Sequence, residues 1–109
     1  MPMQILTAPA LAAWLADSSR HAPLVLDVRE PWEIATASIA GSVSIPMQQI
    51  PARSEEFDDE AEIVCVCHHG MRSAQVAMFL ESRGFTKLYN LQGGIDAWSR
   101  DVDPAVPRY

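Results

Sequence analysis

The chain has 109 residues, of which 49% are hydrophobic and 20% charged, and this length suits one domain with a single core. Its 14 acidic and 8 basic residues give a net charge of −6, and the basic residues are scattered, which argues against nucleic acid or an anionic membrane as a partner. No apolar run approaches the roughly 20 residues of a membrane-spanning helix, and the opening Met-Pro-Met-Gln shows no signal peptide. Two cysteines are too few for a disulfide scaffold, so we expect free thiols in a reducing cytoplasm.

The first half of the chain alternates helix and strand patterns. Thr7 is placed to cap a helix whose apolar residues have helical spacing. The run Leu-Val-Leu-Asp-Val at 24–28 indicates a strand buried on both faces, as in a parallel sheet. A short helix is predicted over 30–37 and a strand over 42–45, whereas the acidic run at 55–60 is typical of a surface loop.

The second half continues the alternation. We predict strands over 62–66 and 87–91, a helix over 73–83, a last short helix around 95–98 and an irregular tail, residues 101–109. Strands that alternate with helices imply an α/β fold, in which a mostly parallel sheet carries helices on both faces. Ligands bind beyond the carboxyl ends of the strands in such sheets, and Cys67 follows one of these ends.

The segment 66–73, Val-Cys-His-His-Gly-Met-Arg-Ser, carries the clearest chemical signal. It joins a thiol at a strand end, a tight loop with a glycine, and an arginine at the start of a helix. Such a loop can turn backbone N–H groups inward as an anion site, and the helix start and Arg72 add positive charge. Positive surroundings favour thiolate over thiol, so the pattern suits a sulfur nucleophile. A purely structural cysteine is the alternative, although core cysteines lie inside elements rather than beside such a loop.

Four blocks of the sequence resemble the rhodanese-like sulfurtransferases, and they follow one another in the family order over residues 24–98. The blocks are the active-site loop 67–73, Asp-Val-Arg-x-x-x-Glu at 27–33, Gly-Ser-Val-Ser-Ile-Pro at 41–46 and Leu-Gln-Gly-Gly-Ile-Asp-Ala-Trp at 91–98. One feature departs from the family: its common Gly-His pair is replaced by Ala37-Ser38, so no role of that histidine is carried over.

The resemblance implies a single rhodanese-like three-layer domain over residues 1–109, without metal or organic cofactor. Its expected reaction has two displacements, in which a donor such as thiosulfate leaves its outer sulfur on Cys67 as a persulfide and a thiol or cyanide then removes it. Arg72 favours thiosulfate or a persulfide as donor, and a protein can serve as donor or acceptor. The site residues expected from the resemblance are Cys67 and Arg72 as catalytic residues, the substrate-binding loop residues His68, His69, Gly70, Met71 and Ser73, and the supporting residues Asp27 and Arg29.

Other functions stay open at this point. A sulfur-carrier or sensing module with protein partners and little turnover would keep the same cysteine. Phosphatase and arsenate reductase loops resemble the loop 67–72 but hold one more residue between cysteine and arginine, which makes room for a tetrahedral oxyanion. Redox chemistry would require Cys65 as well as Cys67, yet we expect Cys65 to lie in the core. A zinc site that includes His68 and His69 lacks a second ligand pair in the sequence. The enzyme interpretation also requires that the loop amides face the Cys67 thiol and that solvent reach this thiol.

Overall fold

The computed structural model describes residues 3–109, in which five strands form one sheet. The sheet order is β1-β5-β4-β2-β3, and each neighbouring pair is parallel. The strands are β1 Gln4–Leu6, β2 Leu24–Asp27, β3 Val43–Ser44, β4 Ile63–Val66 and β5 Leu88–Leu91. The helices are α1 Ala8–Ala16, α2 Pro31–Thr36, α3 Ile50–Arg53, α4 Met71–Ser82 and α5 Gly94–Asp101, with 3-10 turns at Met47–Gln49 and Ser54–Glu56 on either side of α3.

The sequence of the central strand β4 is apolar throughout because helices cover both of its faces. Val64 and Val66 belong to a core cluster shared with α1 and α5, whereas Ile63 and Cys65 belong to a second cluster shared with α3 and α4. Successive side chains of a strand point to opposite faces, so helices on both faces demand an apolar residue at every position. The predicted α/β fold, with a parallel sheet between two helical layers, is confirmed.

Two elements escaped the sequence prediction. Strand β1 has only three residues and lies at the edge of the sheet, where it pairs with β5 through Gln4 and Tyr89. Helix α3 spans four residues and contains Pro51 in its first turn, where a missing N–H costs no helical hydrogen bond. Short elements of this kind leave no periodic pattern in the sequence.

The carboxyl ends of the parallel strands assemble one edge of the sheet. Arg29 follows β2, Cys67 follows β4 directly, and Asn90 lies near the end of β5. This edge is therefore the place where residues from distant parts of the sequence meet. Among the helices of residues 3–109, none has the length and apolar character needed to cross a membrane.

Candidate active site

Cys67 turns its thiol toward the loop that follows it. The Gly70 N–H donates to Cys67 Sγ at 3.0 Å, and the Ser73 hydroxyl lies 3.2 Å from the same sulfur. Gly70 has a φ of +112° and caps α4, a backbone conformation that residues with a Cβ rarely adopt. The sequence predicted several backbone N–H groups turned inward. Among residues 3–109, one such group, the Gly70 N–H, donates to Sγ, and the Ser73 hydroxyl lies beside it.

Asn90 ties this loop to the end of β5. Its Nδ2 donates to the Gly70 carbonyl at 3.0 Å, and its Oδ1 accepts from the Ser73 hydroxyl at 2.5 Å. A hydroxyl has one proton to donate, so Ser73 serves either Asn90 Oδ1 or Cys67 Sγ. Ionisation of the thiol would draw that proton toward sulfur. The sequence analysis did not single out Asn90, because a lone asparagine in a strand pattern carries no motif of its own.

Gly94, the first residue of α5, lets that helix approach the loop closely. Ile95 N donates to the Cys67 carbonyl at 2.9 Å, and Asp96 N donates to the His68 carbonyl at 3.2 Å. A Cβ added at Gly94, where φ is +59°, would overlap both of these carbonyl groups. The start of α5 therefore holds the backbone on either side of the Cys67–His68 peptide bond.

Arg72 ends the loop in the first turn of α4, which begins at Met71 rather than at the predicted residue 73, and Glu33 from α2 binds it. Its Nη1 and Nη2 donate to Glu33 Oε1 and Oε2 at 2.6 and 2.9 Å, which is a bidentate ion pair. The hydrogen bonds from Arg72 lower the pKa of Glu33 to about 2, against the opposing effect of burial. The Arg72 side chain remains 36% exposed. The pair fixes the end of the loop and leaves part of the guanidinium accessible to an anion.

Asp27 and Arg29 form a buried pair beneath the site. Arg29 Nη2 and Nε donate to Asp27 at 2.7 and 2.9 Å. Further donor groups of the same guanidinium bind the carbonyls of Glu33 and Ala37. Charged side chains are seldom buried without full pairing, and here the arginine joins the end of β2 to α2.

Three aromatic rings stack beside Cys67. The His68 ring lies 3.9 Å from that of His69 on one face and 3.9 Å from that of Tyr109 on the other. Burial and the neighbouring His69 lower the pKa of His68. The ligand atoms of His68, His69 and Asp96 lie within 4.8 Å of one another. The two histidine rings are stacked on each other, with planes inclined by 25°, and Asp96 binds Arg108, so we assign no metal to them.

Both cysteines are free thiols and both are buried. Cys65 lies in the core, where burial and then the negative charge of Cys67 raise its pKa to about 12. Cys67 is only 1% exposed. Catalysis requires an accessible thiol, but the Cys67 thiol is covered in this arrangement. Any reaction at its sulfur therefore requires that a covering group move.

The structure brings most of the predicted site residues together. His68, His69, Gly70, Arg72 and Ser73 surround or flank Cys67 within the loop, while Asp27 and Arg29 lie beneath it. Met71 is the exception, because its side chain is among the most exposed apolar groups of the described chain. Sequence analysis missed Asn90 and Tyr109.

The site places this chain among the α/β proteins whose reactive cysteine lies in a tight loop between a parallel strand and the helix that follows it. The family model described as "Rhodanese-like domain" matches residues 7–101, so the chain belongs to the rhodanese-like family.

Individual relatives agree with this assignment. The chain is 39% identical over 83 residues to a protein of Allochromatium vinosum named "Sulfurtransferase", with 76% of this chain and 78% of that protein covered. It is 42% identical over 89 residues to the Arabidopsis thaliana "Rhodanese-like/PpiC domain-containing protein 12, chloroplastic", with 78% of this chain covered but only 30% of that longer protein. Its fold matches the crystal structure of a rhodanese-like domain protein from Staphylococcus aureus, with a TM-score of 0.81, 33% identity, and coverage of 88% and 91%.

Proposed function

We propose that this protein is a rhodanese-type sulfurtransferase that carries a sulfane sulfur on Cys67, with thiosulfate or a persulfide as donor. The observation that carries the proposal is the hydrogen bond that the Gly70 N–H donates to Cys67 Sγ at 3.0 Å, with the Ser73 hydroxyl placed 3.2 Å from the same sulfur. The thiolate is the form of a cysteine that attacks, and an N–H that points at the sulfur is placed to bind the negative charge of the persulfide that follows. The two free thiols fit a reducing compartment such as the cytoplasm.

The proposed reaction consists of two displacement steps. The Cys67 thiolate attacks the outer sulfur of thiosulfate, a sulfur–sulfur bond forms, and the bond to the inner sulfur breaks with its electron pair leaving on sulfite. The negative charge then rests on the terminal sulfur of the Cys67 persulfide. Cyanide or a thiolate attacks that terminal sulfur and regenerates the Cys67 thiolate. No proton has to be moved by a carboxylate in either step.

Arg72 is the group proposed to attract the donor. With 36% of its side chain exposed, it offers part of its guanidinium to an anion while Glu33 holds the rest. The net charge of −6 repels a dianion at long range, so the attraction has to be local. The six-residue loop 67–72 favours a single sulfur over the tetrahedral oxyanion of a phosphatase or an arsenate reductase.

The experiment is the steady-state transfer of sulfur from thiosulfate to cyanide, followed as thiocyanate. We expect turnover by the unaltered protein and none by Cys67→Ser. Cys65→Ser is the matched control, because that thiol lies in the core beneath the loop, and it should retain turnover. Thiocyanate formation that Cys67→Ser leaves unchanged, or that Cys65→Ser abolishes without unfolding the protein, would contradict the proposal.

The burial of Cys67 favours a second candidate, a sulfur-carrier or sensing module that takes sulfur from a protein and turns over slowly. The two candidates differ in rate and in partner. A module of this kind would hold a persulfide after one exposure to a donor yet release little thiocyanate, whereas an enzyme would show ping-pong kinetics with thiosulfate and cyanide.

A further inference from the structure

Sulfur transfer requires contact between Cys67 Sγ and a sulfur of the donor. Because Cys67 is 1% exposed, the arrangement in the structure does not permit that contact. Hydrogen bonds from Asn90 and from the start of α5 hold the backbone of the loop 67–72. The group that moves therefore lies outside this loop.

Tyr109, in the tail, lies against both ends of this loop. Its ring stacks on His68, the residue after Cys67, with centroids 3.9 Å apart and planes inclined by 9°. Its hydroxyl donates to Glu33 Oε2 at 2.6 Å and accepts from Arg29 Nη1 at 2.8 Å. Glu33 in turn binds Arg72, at the other end of the loop. Tyr109 thus contacts the start of the loop directly and its arginine through Glu33.

The contacts of the tail determine what opening of the site would have to break. Arg108 is bound to Asp96 at 2.9 Å, but the Arg108 side chain is 57% exposed, and surface ion pairs of this kind contribute little. Val106 and Tyr109 both pack against the core cluster, so opening has to displace the Tyr109 ring from that cluster as well as from His68. His68 Nε2 is buried with no hydrogen-bond partner among residues 3–109, and opening would expose it to water.

We propose that Tyr109 is a specificity-determining residue, whose ring closes the route to Cys67 and admits small anionic sulfur donors and acceptors in preference to bulky ones. A small anion needs only a local shift of the ring, whereas a bulky thiol or a protein needs residues 107–109 to detach. The inference rests on the proposed function for its biological meaning, but the closure itself is a property of the fold.

The test measures how fast Cys67 is alkylated by a small reagent, iodoacetamide, and by a bulky one, a fluorescein maleimide, with the labelled residue identified by peptide mapping. Tyr109→Ala removes the ring and both hydroxyl hydrogen bonds, so we expect the bulky reagent to react about tenfold faster and the small one much less so. Tyr109→Phe keeps the ring and should show a smaller rise. Tyr89→Phe, which removes a hydroxyl bound to Glu62 at a distance from the loop, should match the unaltered protein.

Two results would overturn the inference. In the first, both reagents alkylate Cys67 of Tyr109→Ala at the rate seen in the unaltered protein. In the second, both reagents react faster by the same factor, which indicates a general loosening of the fold rather than selection by size. If Tyr109→Ala does not fold, Tyr109→Phe carries the same comparison, since it removes both hydroxyl hydrogen bonds and should raise the maleimide rate in the same direction by a smaller factor.

Alkylation does not depend on sulfur transfer, so the two proposals fail separately. A protein that forms no thiocyanate but shows size-selective labelling controlled by Tyr109 refutes the proposed function and supports the inference. A protein that transfers sulfur, but whose Tyr109→Ala variant has an unchanged ratio of kcat/KM for cyanide and for a bulky thiol acceptor, refutes the inference alone.

Discussion

Replacement of Glu33 by glutamine tests whether the ion pair with Arg72 holds the loop in place. The pKa of Glu33 falls from 4.5 to about 2, chiefly through the hydrogen bonds from Arg72 and in spite of burial, and this difference corresponds to about 3 kcal/mol of stability at neutral pH. Because Arg72 is partly exposed and glutamine still accepts hydrogen bonds, we expect Glu33→Gln to lower the free energy of unfolding by about 2 to 3 kcal/mol at pH 7.

The pH dependence gives a sharper criterion than the size of the effect. The folded pKa of Glu33 is depressed, so its contribution is present above the unfolded pKa of 4.5 and is lost as the pH falls through about 2. Less than about half of it should remain at pH 3. The free energies of unfolding of Glu33→Gln and of the unaltered protein should therefore converge as the solution is acidified.

The assay is urea unfolding followed by tryptophan fluorescence at pH 7 and at pH 3. Glu56→Gln is the matched control, because its carboxylate binds Arg53 on the exposed surface, and this variant should leave the unfolding curve unchanged. Equal destabilisation by Glu33→Gln at both pH values, or none at pH 7, would refute the reasoning.

The remaining predictions concern sulfur transfer from thiosulfate. Gly94→Ala should lower kcat/KM about a hundredfold by displacing the loop backbone, whereas Gly84→Ala, also at positive φ but with open space around it, should lower it less than about twofold. Ser73→Ala should lower kcat/KM about tenfold, which corresponds to the loss of one hydrogen bond to a charged sulfur, and an unchanged kcat/KM would contradict that role. His68→Ala with His69→Ala should cost less than about tenfold, because neither ring hydrogen bonds to Sγ in the described chain; a loss as large as that of Cys67→Ser would refute this.

The loop and its setting could be predicted because their information is local. A continuous apolar run followed at once by Cys67 placed the thiol at a strand end, and Gly70 and Arg72 at fixed spacings indicated the turn and the helix that follow. The alternation of strands and helices was sufficient for the parallel sheet. Patterns within about ten residues of one another carried all of these inferences.

The covering of the thiol could not be predicted, because it depends on contacts between residues far apart in the chain. Tyr109 meets Arg29 across 80 positions and Glu33 across 76, and no spacing rule links them. Asn90 reaches Gly70 and Ser73 from another strand in the same way. Such polar contacts arise only after the sheet has brought the carboxyl ends of its strands together.

The central claim is that Cys67 accepts a sulfur atom and holds it as an anion. Its most direct test is the intact mass of the protein after exposure to thiosulfate and removal of excess reagent, followed by peptide mapping. The account predicts the gain of one sulfur atom, located on Cys67, removed by cyanide and absent from Cys67→Ser. No gain in mass, or a sulfur located on Cys65, would contradict it.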